Sequence, residues 1–148
     1  MTYNMSYTAL PIFTPNSIGY SYVYQNPYTI IPITNLPITT LFTFHSIPPG
    51  IYLFNASIQY ATTPSSPIPT VWSTTLSDTV YGSNTPYFYS SVNGVPSVIG
   101  GVTYYYATAS ISYLLNVSAT TTYYLLGYSP TSTTTHVTYM QTSLTRIA

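Results

Sequence analysis

Three side chains in this sequence could exchange a proton near neutral pH: His45, His136 and Asp78. General acid–base chemistry draws on His, Asp, Glu, Lys or a tuned Cys, and Glu, Lys and Cys are all absent here. A Ser-His-Asp triad can be written for any Ser-rich chain, but no serine here has a G-x-S-x-G context. Glycosidic cleavage takes two carboxylates, and Asp78 is the single acidic side chain. Two isolated histidines and one aspartate lack the ligand spacing of a zinc site. Calcium held by Asp78 and backbone carbonyls stays open, as do three copies of one histidine about a symmetry axis. The residues therefore point away from an enzyme, and no cofactor is expected. His45 and His136 read as strand-end histidines. Arg146, the single cation, reads as a partner of Asp78 or of the terminal carboxylate, holding the last strand in place.

Two further chemistries are written in the sequence. Asn4-Met5-Ser6, Asn55-Ala56-Ser57 and Asn116-Val117-Ser118 match N-x-[ST], so Asn4, Asn55 and Asn116 are candidate glycan acceptors. Trp72 and the 19 tyrosines could stack on sugar rings, or form core and subunit interfaces instead.

Only 1% of the residues are charged, against about 25% in an average soluble domain. Net charge is zero, so the usual electrostatic guard against association is missing. One Arg cannot neutralise phosphates, which excludes nucleic acid. The same shortage excludes anionic lipid surfaces. No run approaches the roughly 20 apolar residues of a membrane-spanning helix, so membrane insertion is not expected. Roughly a third of the chain is Ser or Thr, which suits an uncharged polar surface. With 45% hydrophobic and 17% aromatic residues, disorder is not expected. The N-terminal MTYNMSYTALPIF lacks the basic and apolar regions of a Sec signal. Export by another route, exit inside a particle or prior removal of a signal are the expectations.

Positioning such residues falls to strands. Helix formers are scarce, while Tyr, Thr, Val, Ile and Phe dominate. Thirteen Pro and seven Gly punctuate the chain at strand-like intervals. Strands are predicted over 18–25, 29–34, 38–45, 51–60, 71–77, 102–117, 121–128 and 137–147, with short apolar pieces across 83–101. In 51–60, Tyr52, Phe54, Ala56, Ile58 and Tyr60 make an apolar face and Asn55, Ser57 and Gln59 a polar one, the period-two signature of a half-buried strand. Pro48-Pro49-Gly50 joins this run to the one before it in a hairpin-like unit. The fold class is all-β: about 8–10 antiparallel strands in a β-sandwich or jelly roll. Residues 1–17, with Pro11 and Pro15, read as an extended N-terminal arm, and 18–148 as the domain.

The stretch FTFHSIPPGIYLFNASIQY resembles the C1q/TNF-like jelly roll through Phe42, Pro49, Gly50, Ile51, Tyr52, Leu53 and Phe54. TTTYYLLGYS is similar to a late strand of that family, and SLTRIA to the terminus of C1q-like heads on giant-virus and other viral surface proteins. No Gly-X-Y stalk is present. The resemblance implies a sandwich of about ten strands that assembles as a trimer, displayed on a virion surface or outside the cell. The expected function is therefore structural and non-enzymatic: a virion surface, minor capsid or fibre-head protein whose partner is itself. Other virion proteins and host glycans are further possible partners. An extracellular filament linked by strand donation from the arm, and a glycan-binding adhesin, are the alternatives. Candidate assembly residues are Tyr3, Tyr7 and Phe13 in the arm, and Tyr20, Tyr22, Tyr24, Tyr104 and Tyr106 in the domain.

Overall fold

The computed structural model describes residues 14–26, 31–33, 38–62, 72–79, 88–92, 94–128 and 135–148. They form β1 (Ser21–Asn26), β2 (Ile31–Ile33), β3 (Thr39–Ile47), β4 (Gly50–Thr62) and β5 (Trp72–Ser77). Five more follow: β6 (Phe88–Val92), β7 (Val95–Ile99), β8 (Val102–Val117), β9 (Thr121–Tyr128) and β10 (Thr135–Arg146). No helix occurs among the described residues. The fold is an all-β sandwich of two antiparallel sheets. The larger runs β1-β10-β4-β8-β7, with β2 beside β1 on β10, and the smaller runs β3-β9-β5-β6.

Alternation builds the core. The even positions of β4 from Tyr52 to Tyr60 are buried, as are Ala107, Ala109, Ile111, Leu115 and Val117 on β8. Phe44, Trp72, Leu76 and Leu125 meet them from the smaller sheet. Each large side chain of this kind contributes roughly 1.5–3 kcal/mol when removed from water. Polar ties also cross the core. The Tyr60 hydroxyl on β4 hydrogen-bonds Thr74 on β5, and the Trp72 indole N–H donates to Thr135 Oγ1 on β10 at 3.1 Å. The Tyr60 and Trp72 rings stack at 5.8 Å. A bulge between Val137 and Tyr139 lets Thr135 and Val137 face inward along with Met140, Thr142 and Leu144.

The hairpin-like unit is corrected. β3 pairs β9, whereas β4 pairs β10 and β8, so Pro48-Pro49-Gly50 turns a corner between sheets. Two adjacent prolines supply no N–H to close a ladder at that point. Gly50 is required there because a Cβ would lie 2.8 Å from Arg146 Cζ and 2.9 Å from the Ala148 oxygen. The first predicted strand also starts later than expected. Gly19 has φ +87°, and Thr14 to Tyr20 form turns closed by Ser17 N–H to Thr14 O and Tyr20 N–H to Ser17 O.

Candidate assembly surface

The outward face of the larger sheet follows from the same alternation, since residues opposite one another across a ladder share a face. Ser21, Thr145, Leu53 and Leu114 form one row; Val23, Ser143, Asn55 and Ser112 form the next. Gln25, Gln141, Ser57 and Ser110 form a third, followed by Tyr139, Gln59 and Thr108. His136, Ala61, Tyr106 and Val95 close the sequence, and Tyr104 and Ile99 extend it along the β7–β8 hairpin. None of these residues is Asp, Glu, Lys or Arg.

The centre of the face is lined by short polar side chains and leaves a shallow depression of about 410 Å³. Around it, polar side chains of the face bond to one another: Ser21 Oγ to Thr145 Oγ1 at 2.7 Å, and Tyr139 O–H to Gln141 Oε1 at 3.0 Å. Both ends are apolar. Of eight exposed large hydrophobic residues among those described, five lie here: Val23, Leu53, Val95 (66% exposed), Ile99 and Leu114 (56%). That concentration distinguishes the face from scattered surface hydrophobes, which need no explanation.

The candidate residues divide. Tyr104 and Tyr106 stand on this face, ring centroids 6.3 Å apart. Tyr22 and Tyr24 turn the other way and pack against the core, Tyr24 stacking on Phe42 at 4.4 Å. Tyr20 meets Tyr22 edge to face at 5.0 Å on the flank. Tyr3, Tyr7, Phe13 and Asn4 lie outside the described residues. Asn55 sits half-buried in the middle of the outward face and Asn116 exposed near its end, so a glycan on Asn55 and a docked protein copy would compete for one surface. Sequence reasoning missed Val23, Leu53, Leu114, Val95 and Ile99. The available signal was Leu53, an apolar residue among Asn55, Ser57 and Gln59 on a polar face.

The other chemistry-bearing residues do not converge. Trp72 is 0% exposed, which overturns it as a sugar platform and leaves it as core. His45 is exposed on β3, Asp78 follows β5 with β9 between them, and His136 is on the opposite sheet. Among the described residues no three His, Cys, Asp or Glu come together as a metal site. Arg146 lies over the Tyr52 ring at 5.7 Å and donates to its hydroxyl at 3.3 Å, while Tyr52 O–H donates to Pro48 O at 2.9 Å. Backbone bonds from Ile51 N–H to Ala148 O and from Ile147 N–H to Ile51 O secure the same end.

Comparison with protein-family models and with curated proteins finds no match to this chain.

Proposed function

We propose that this chain is a non-enzymatic structural subunit: a C1q/TNF-like jelly-roll head that associates with its own copies, as a trimer, on the surface of a virion. The observation that carries this reading is the uncharged outward face of the larger sheet with apolar residues at both ends. Five strands about 4.8 Å apart and ten residues rising about 3.3 Å each give a face of roughly 800 Å², the area one partner contributes to a stable interface. Two copies meeting there bring no like charges together, and the Tyr104 and Tyr106 hydroxyls can stay hydrogen-bonded while their rings are covered.

The strand order supports the jelly-roll assignment. Apart from β2 and β7, the sheets read β1-β10-β4-β8 and β3-β9-β5-β6, the interleaving that two Greek keys folded into a double sheet require. Display on a particle exterior agrees with a hydroxyl-rich surface and rests on the likeness of the SLTRIA ending to viral heads. Native mass spectrometry and light scattering test the reading. A closed species of three times the 16.3 kDa chain mass is expected at micromolar concentration. A monomer throughout that range overturns it.

A further inference from the structure

We propose that the flank between β1 and β3 is a binding groove for a neutral saccharide. This goes beyond the assembly reading, because the groove lies between an end strand of each sheet and is formed by residues of one chain. Its volume is about 440 Å³, and Tyr20, Ser21, Tyr22, Phe42, Thr43 and His45 line it, within the span of roughly 300–1,000 Å³ usual for small-molecule sites.

Its chemistry is twofold. The apolar part is Phe42, held by stacking on Tyr24 at 4.4 Å and by edge contact with the buried Phe44 at 4.9 Å. Tyr20 and Tyr22 form the opposing wall. The polar part is the Thr43 hydroxyl, two phenols and the exposed imidazole of His45. A pyranose ring has the complementary surface, with a C–H face that lies on aromatic carbon and hydroxyls at its edge that exchange hydrogen bonds with neutral donors and acceptors. An alkyl chain would leave the polar rim unpaired, and an anionic sugar would find no lysine or arginine among the lining residues. Burial pushes the Tyr22 phenol above its ordinary value, which keeps it a protonated donor. The tryptophan singled out in the sequence takes no part.

Saturation-transfer NMR on the full chain tests the groove. The probes are methyl β-D-galactopyranoside, methyl α-D-mannopyranoside and N-acetylglucosamine, with N-acetylneuraminic acid as the charged comparator. At least one neutral sugar is expected to bind with a dissociation constant of about 1 mM, with amide shifts in the wild-type spectrum confined to β1, β3 and the turn before β1. Tyr20→Ala and His45→Ala, each checked for an unchanged melting temperature, are expected to weaken it about tenfold, or 1.4 kcal/mol. Absence of transfer to all three neutral sugars, equal binding of the charged one, or shifts elsewhere on the protein overturns the proposal. The wild-type shift map decides between these outcomes even if a variant fails to fold.

Discussion

At the scale of single residues, the molecule depends on Trp72 and what touches it. Gly94 packs directly on the indole: a Cβ there would lie 2.9 Å from ring carbons Cη2 and Cζ3. The ring cannot retreat, being stacked on Tyr60 and tied to Thr135. Gly94→Ala should therefore destabilise the fold by about 1–3 kcal/mol, the usual cost of overpacking. Urea unfolding would measure it, and an unchanged midpoint would show that the backbone gives way freely. Tyr60 makes a second prediction. Burial pushes its phenol well above the ordinary 10, outweighing the opposite effect of the Thr74 hydrogen bond. The unfolded chain then releases this proton at lower pH than the folded one. The stability that Tyr60 contributes is complete below pH 10 and declines from there towards the folded value, by at most about 1.4 kcal/mol per pH unit. Denaturant midpoints taken between pH 8 and 12 should fall in the upper half of that window, and less steeply in Tyr60→Phe. Residue roles were only partly legible beforehand. In a chain almost without charge, Tyr suits either side of a strand, because its ring is apolar and its tip polar. Tyr22 and Tyr24 could thus be read as outward when they pack inward, and Trp72 as a platform when it is core.

Among the elements, β7 shows how an uncharged sheet controls its edge. The Gly100-Gly101 turn has positive φ at both positions, +60° and +80°, as a tight two-residue hairpin of the I′ kind requires. Ile99 and Val102 flank the turn and form the bonded pair, so bonding alternates back through Ser97 and Val95. Pro96 then falls where its nitrogen faces the free edge. It costs no ladder bond and removes one donor from the side where another strand could add. Pro96→Val restores that N–H in a strand with exposed Val95, Val98 and Ile99. The variant should form thioflavin-positive aggregates sooner than wild type under agitation; equal lag times would mean that Pro96 does not guard the edge. The elements themselves were largely readable. β8 and β9 begin and end where alternation and flanking turns put them, and β4 buries the residues expected. Alternation says which side chains face inward, but not which strand lies alongside. β3 and β4, neighbours in sequence and close through Pro48-Pro49-Gly50, looked like a pair, yet their partners β8, β9 and β10 all come from the second half of the chain.

The whole molecule presents two faces with different constraints. On the smaller sheet, Leu126 is 0% exposed although it sits one position out of step with the core residue Leu125, so that side is covered at this position. On the larger sheet Val23, Leu53 and Leu114 are exposed. If copies meet there, the tolerance of the monomer and of the assembly for charge must differ. Ser57 and Ser112 lie on the outward face near its centre. A lysine at either position can extend its stem along neighbouring side chains and leave its ammonium in water, so the isolated fold should keep its melting temperature. Within an interface the same ammonium groups are desolvated without partners, at several kcal/mol each, and each copy adds more of the same sign. Ser57→Lys combined with Ser112→Lys should convert the assembly to monomer in light scattering. Ser118→Lys, in the loop after β8, should leave it intact. An assembly that survives the double variant but dissociates when Pro96 or β1 is altered would place the contact at a sheet edge, because a charge on the face is harmless only if no second copy covers it.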